Sequence, residues 1–310
     1  MARLDALLLG LPPQDAERLA ELPCLQDATA ISALPGGITN RNYRVDTPQG
    51  TLVARLSDPE SSLLAVDRVN EHRNSLAAAY AGVGAPVVDF VAGRGVLVVG
   101  FLEGRTWVED DVRRPENLPR IAEACRRLHS GPRFASEFNM FDLQARYLAV
   151  CRERGFRLPD RYEEFLPTVE RVRAAMATRP EPTVPCNNDL LARNFIDAGD
   201  RLWLIDYEYS GNNEASFEIG NIWSESTLPA DLLEPLVAAY WGSADPAKLA
   251  RARLWALMGQ YGWTLWASIQ ASVSPIEFDF WEWGMEKYDR AVATFDSPDL
   301  VRLMDAAAGR

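Results

Sequence analysis

Histidine is nearly absent from this chain, with only His72 and His129 among 310 residues. A mechanism built on a histidine base, such as a Ser/His/Asp hydrolase, has little to draw on. Cysteine is almost as scarce. Cys24, Cys125, Cys151 and Cys186 stand apart with no CxxC spacing, which indicates neither a zinc site nor a disulfide framework and fits a reducing cytoplasm. Long apolar runs are missing too: the longest near the N-terminus, Ala6–Leu9, is far too short for a membrane span or a signal peptide core. Positive charge is in the minority, 32 Lys and Arg against 44 Asp and Glu for a net charge of -12. That balance argues against a nucleic-acid partner, which wants a basic stripe, and favours cationic ligands. No repeat or low-complexity segment interrupts the chain.

With 47% hydrophobic residues, the chain can bury a sizeable core and is long enough for two lobes. A short helical preface is expected over Gln14–Leu22, followed by β-type patterning from Ala28. The sequence PGGITNRNYRV, a turn at Thr47–Gly50 and the run Thr51–Leu56 read as a hairpin. Gly36, Gly37, Thr39 and Asn40 precede it in a loop whose backbone and side-chain donors suit a phosphate group. Arg55 interrupts an otherwise apolar strand and wants a partner. Glu71, on a helix expected over Ala65–Tyr80, is the favoured one, with Asp67 as its competitor. Two further strands, Val87–Val91 and Gly95–Phe101, lead to FLEGRTW, after which helical periodicity takes over. The boundary is set at residue 102. A small β-rich N-terminal lobe (1–102) then precedes a larger, mainly helical C-terminal lobe (103–310), and a ligand would lie in the crease. His129, at the end of a helix over Glu116–Ser130, is read as structural, and His72 as a surface or packing residue.

The most informative stretch is Cys186–Tyr209, CNNDLLARNFIDAGDRLWLIDYEY. Asp189 and Asn194 stand five positions apart, and a hairpin of Asn194–Ile196 and Leu202–Ile205 around DAGD delivers Asp206 seventeen positions after Asp189. Each residue alone has an ordinary use, as a turn cap or a strand end. Together, two carboxylates and an amide at the ends of a hairpin suit phosphoryl transfer from a magnesium nucleotide. In that pattern Asp189 accepts a hydroxyl proton, while Asn194 and Asp206 hold the metal.

Aromatic residues crowd the last third. Trp263 and Trp266, three apart, share one helix face. Core packing is the reading for Trp255 and Trp281. For Trp263 and Trp266 it is an aromatic cage around an ammonium group, with Glu225, Glu277 and Asp279 adding negative potential.

With PGGITNRNYRV, LVARL, NEHRNSLAAA, NNDLLARNFI, LIDYEYSGNN, FEIGN and WTLWASIQASVSPIEFDFWEW in place, the chain resembles the choline/ethanolamine kinase family, within the wider group of aminoglycoside-phosphotransferase-like kinases. The resemblance covers nearly everything after residue 28. It implies an α+β, protein-kinase-like bilobal fold and transfer of the γ-phosphate of ATP, with Mg²⁺, to the hydroxyl of a small cationic amino alcohol. By motif, Asp189 resembles the base and Asn194 and Asp206 the metal ligands. Arg55 and Glu71 resemble the phosphate-clamp pair, and Trp263, Trp266 and Trp283 match positions lining an ammonium pocket. A homodimer is compatible with this reading. Two departures stand out: Asn187 where the family's catalytic motif usually opens with His, and a stretch Ile222–Leu228 without the tyrosine-rich run of eukaryotic members. Other readings are a kinase for an aminoglycoside, thiamine or sugar, and a nucleotide binder without chemistry.

Overall fold

The computed structural model describes residues 2–35, 40–57 and 63–310. Gly36, Gly37 and Thr39 lie outside the described residues. The chain opens with helices α1 (Ala2–Leu8) and α2 (Pro13–Ala20). Strands β1 (Ala30–Leu34), β2 (Asn40–Thr47) and β3 (Gly50–Ser57) follow, then α3 (Arg68–Tyr80), β4 (Val87–Val91) and β5 (Val96–Gly100). The five strands form one antiparallel sheet in the order β1-β2-β3-β5-β4. The two N-terminal helices cover one sheet face: Leu4, Leu8, Leu19 and Leu22 cluster with Tyr43, Val45, Leu56 and Val98. An ion pair locks this layer, since buried Asp15 takes Arg41 at 2.7 Å and the Tyr43 hydroxyl at 2.5 Å.

Beyond residue 102, β6 (Arg105–Thr106), α4 (Glu109–Val112), α5 (Leu118–His129), α6 (Met140–Arg154) and α7 (Leu166–Ala177) lead to β7 (Thr183–Cys186), β8 (Phe195–Asp197), β9 (Leu202–Leu204) and β10 (Gly211–Glu214). Helices α8 (Ala215–Glu225), α9 (Leu233–Trp241), α10 (Pro246–Val273), α11 (Phe280–Phe295) and α12 (Asp299–Ala308) complete the chain. The expected hairpin is present as β8 and β9, with β6 added on its outer side. Asn194 ends a single 3₁₀ turn just before it rather than beginning the strand.

Helix α10 is the axis of this larger lobe. Twenty of its residues between Ala250 and Gln270 are buried, which a helix achieves only when packed on nearly every side. Its close neighbours require glycine at the crossings. A Cβ on Gly220 of α8 would lie 2.1 Å from the Ala252 carbonyl oxygen, and one on Gly284 of α11 2.6 Å from the Ala267 Cβ. Those two glycines let α8 and α11 press against α10, and the three helices together build one wall of the site. Among the described residues, no helix is long and apolar enough to cross a membrane.

Candidate active site

Strand β7 delivers the chain into a loop held by side chains. Glu218 on α8 accepts the backbone N–H groups of Asn187 (3.1 Å) and Asn188 (2.9 Å). Asn188 adopts a left-handed backbone, φ 66°, a conformation that asparagine tolerates better than most residues. Its amide donates to the carbonyls of Cys186, Tyr209 and Gly211 and accepts from Asn213. Asn187 then spans two segments. Its Nδ2 donates to the carbonyls of Ile205 (3.1 Å) and Asp206 (2.9 Å), and its Oδ1 accepts the Asp189 N–H at 3.0 Å. The side chain that departs from the family pattern thus ties the Asp189 loop to the Asp206 loop. Asn194 closes the turn from the other side, donating Nδ2 to the Asp189 carbonyl at 2.6 Å.

Behind this loop lies a closed layer of titratable groups. Burial pushes the Glu218 carboxyl up to about 7, against the pull of the two backbone donors. His129 is buried and held down at about 3 by desolvation, so its ring is neutral; Nδ1 meets the Tyr240 hydroxyl at 2.6 Å and Nε2 the Cys186 thiol at 3.6 Å. It is a structural residue, and His72 stacks on Phe90 at 4.3 Å.

Asp206, also left-handed with φ 66°, meets Arg55 across the crease at 2.7 Å. Arg55 further contacts Glu71 at 3.3 Å and Glu208 at 3.1 Å. A second guanidinium completes the cluster: Arg68 reaches Glu71 at 2.7 Å and Glu208 at 3.1 Å. Burial opposes the Arg55 charge, yet Asp206, Glu71 and Glu208 together raise its pKa above the ordinary arginine value. Asn40 donates to Glu208 at 3.0 Å. Asp67 does not compete for Arg55, because its carboxylate caps α3 through the N–H groups of Val69 and Asn70. The Asp189 carboxyl lies well above its ordinary range, first through burial and second through the charge of Asp206.

One cavity of about 480 Å³ connects these groups. Arg55, Asn194, Asp206 and Asp189 line it, as do Trp263, Trp266, Trp283 and Glu225, and Asp189 feels the charges of both Asp206 and Glu225. The Trp266 N–H donates to the Tyr209 hydroxyl at 2.7 Å and the Trp263 N–H to Asn221 at 3.3 Å, so the polar edges of both rings are occupied. Trp266 and Trp283 meet edge to face at 5.5 Å. Glu225 is almost wholly buried and pairs through Oε2 with Lys287 Nζ at 2.5 Å. Desolvation lowers the Lys287 pKa from its ordinary value, with Glu225 opposing.

The structure therefore brings Asp189, Asn194, Asp206, Arg55, Glu71, Asn40 and the three tryptophans together. Arg68, Glu208, Glu218 and Lys287 join them without having been singled out from the sequence. Trp255 is in the core, donating to Glu214 at 2.8 Å. Trp281 is not a core residue; it is half-buried beneath the Arg157 guanidinium, 3.8 Å from its ring centre. Nor do Glu277 and Asp279 add charge to the cavity, the first being exposed and the second capping α11 through the Glu282 N–H. Of the three acidic candidates, Glu225 lines the cavity.

A two-lobed α+β fold with a carboxylate-amide-carboxylate constellation on a hairpin is that of a protein-kinase-like phosphotransferase acting on an alcohol group. Residues 31–240 match the choline/ethanolamine kinase family model, and the chain belongs to that family. A choline/ethanolamine kinase family protein from Mesorhizobium loti superimposes with a TM-score of 0.83 at 32% identity, over 96% of this chain and 99% of that one. A probable ethanolamine kinase of Arabidopsis thaliana is 27% identical over 288 residues, spanning 81% of this chain and 75% of that protein. An aminoglycoside phosphotransferase shares the fold, with a TM-score of 0.62 at 15% identity over 92% of this chain and 99% of the other.

Proposed function

We propose that the protein transfers the γ-phosphoryl group of ATP to the hydroxyl of an amino alcohol, choline or ethanolamine. The observation that carries this reading is one cavity lined both by Arg55, Asp206 and Asp189 and by three tryptophans with Glu225. An ammonium held by ring faces and a carboxylate leaves the hydroxyl of a two-carbon alcohol near Asp189.

Asp189 takes the hydroxyl proton as the oxygen attacks phosphorus and the bond to ADP breaks. Its burial and the neighbouring Asp206 make it a better proton acceptor than an exposed aspartate. Asn187 holds the backbone of Asp189 and Asp206 in one register, so base and metal-binding carboxylate are fixed together. That bond pattern supports catalysis rather than a binder without chemistry. The Asn194 amide nitrogen and Asp206 Oδ1 are already engaged, which leaves Asn194 Oδ1 and Asp206 Oδ2 as hard oxygen donors suited to Mg²⁺. Bound there, the metal would neutralise phosphate charge. Arg55, fixed by Glu71 and Glu208, orients the nucleotide phosphates from the other lobe.

ADP release with Mg-ATP against choline, ethanolamine, thiamine and an aminoglycoside tests the reading. Turnover confined to the amino alcohols supports it; turnover of thiamine or the aminoglycoside alone overturns it.

A further inference from the structure

A cation already stands directly behind the amine end of the cavity. Lys287 Nζ lies 3.9 Å from the ring centre of Trp283 and 2.5 Å from Glu225 Oε2. Both side chains of the pair are nearly sealed from solvent, 4% exposed for Lys287 and 2% for Glu225. Lys287 itself is not part of the cavity lining, whereas Glu225 and Trp283 are. The remaining carboxylate oxygen, Glu225 Oε1, is buried and has no hydrogen-bond partner. A buried acceptor without a donor is costly, and Glu225 belongs to the cavity lining, so a ligand whose N–H bonds reach this oxygen would relieve that cost.

We propose that Lys287 is a positioning residue that sets the choice of amino alcohol: by occupying one oxygen of Glu225 and one face of Trp283, it leaves a single directional acceptor that favours a primary ammonium over a trimethylammonium. The inference rests on the amino-alcohol reading given above. Its physical basis is that the Lys287 charge offsets the Glu225 charge, so the long-range attraction that would serve any cation equally is reduced. What remains is the hydrogen bond from substrate N–H to Oε1. Ethanolamine has three such hydrogens on its ammonium and choline has none. Choline retains the faces of Trp263 and Trp266 but loses part of Trp283 to the lysine, and it leaves Oε1 unpaired.

The test compares kcat and KM for ethanolamine and choline in the wild type, Lys287→Met and Lys287→Arg. Wild-type protein is expected to favour ethanolamine in kcat/KM by about tenfold or more, the worth of one hydrogen bond to a charged acceptor. Lys287→Met keeps the side-chain volume and releases both the carboxylate and the ring face, so the KM for choline falls severalfold at little-changed kcat. Lys287→Arg keeps the ion pair, and therefore the fold, but its guanidinium fork engages both oxygens of Glu225. The KM for ethanolamine then rises while that for choline stays. Both variants narrow the preference, through opposite substrates, which a loss of packing alone would not do. A wild-type preference for choline overturns the inference, as does a ratio unmoved by either variant or a parallel shift of both KM values. Wild-type protein that turns over neither amino alcohol overturns the underlying reading of the site, and the inference with it.

Discussion

Behind one end of the cavity two guanidiniums, Arg55 and Arg68, sit among three carboxylates, Glu71, Asp206 and Glu208, of which Arg55, Asp206 and Glu208 line it. At the other, a single ammonium, Lys287, faces a single carboxylate, Glu225. The first cluster is formally short of positive charge, and Asp189 adds another carboxylate beside it. Such an end is suited to added cations, which fits a metal-bound nucleotide better than a bare one. The second cluster is formally balanced, so its selectivity comes from ring faces and a lone oxygen rather than from net charge. The overall charge of -12 therefore says little about either end. What matters is how each carboxylate is shared.

The sharpest way to break this contrast is at Asp189, between the two ends. Asp189→Asn is expected to lower kcat by about 10²–10⁴-fold, the usual worth of a general base, while a thermal-shift titration still reports Mg-ATP binding. Normal turnover would remove Asp189 from the role of base. Next comes Arg55→Met, which leaves buried carboxylates without their cation. We expect a stability loss of about 3–5 kcal/mol and weakened nucleotide binding, read by urea denaturation and by titration. A variant as stable as the wild type would mean that Arg68 alone balances the cluster.

Glu218 tests the layer behind the polar end through pH. Its carboxyl titrates at about 7 in the fold against an ordinary 4.5, so the fold prefers its protonated form. The stabilisation is fully present below about 4.5 and is lost as pH rises through about 7. Relative to Glu218→Gln, the wild type should lose roughly 3 kcal/mol across that window and level off above it. His129, held down near 3, gives the opposite slope, present above 6.5 and lost as pH falls. Since it is common to both proteins, their difference isolates Glu218. A flat difference across pH 4 to 8 would remove the glutamate from this role. The smallest effect is expected at the amine end, where Trp266→Phe keeps an aromatic ring but loses the bond to Tyr209. The KM for the amino alcohol should rise about threefold to tenfold, on the order of 1 kcal/mol, with kcat little changed. A fall in kcat with unchanged KM would place Trp266 outside substrate binding.

The part of the polar end that was legible in the sequence is the part that is local. Asp189, Asn194 and Asp206 belong to one loop and hairpin, and their spacing alone brings them together. Glu208, two residues after Asp206, carries no signal of its own, because a strand ending in one candidate carboxylate looks complete. Arg68 was hidden by the helix boundary. With Ala65 taken as the start, Asp67 is a rival acid; with α3 beginning at Arg68, Asp67 is its cap and Arg68 is free to fold back onto Glu71. At the amine end only the helical pair Trp263 and Trp266 carried a local signal. Lys287 and Glu225 are 62 positions apart, on different helices, and no periodicity links them. Glu277 and Asp279 show the converse error, since closeness in sequence to Phe280 and Trp283 did not place them at the cavity. The role of Asn187 was visible only as a substitution, because its three side-chain hydrogen bonds depend on how the two loops approach.

Helix α10 carries Trp263 and Trp266 on a rod that is packed against α6, α8, α11 and α12 at once. Any change there must be accommodated by several partners, and the steric room at Gly220 and Gly284 is already used up. Helix α11 is freer, with Trp281 half-buried and Glu282, Glu286 and Asp289 exposed along its outer side. A lineage drifting toward a new amine would therefore find its tolerated substitutions on α11. The inner helix would persist as inherited scaffold while the outer one recorded the history of substrate choice.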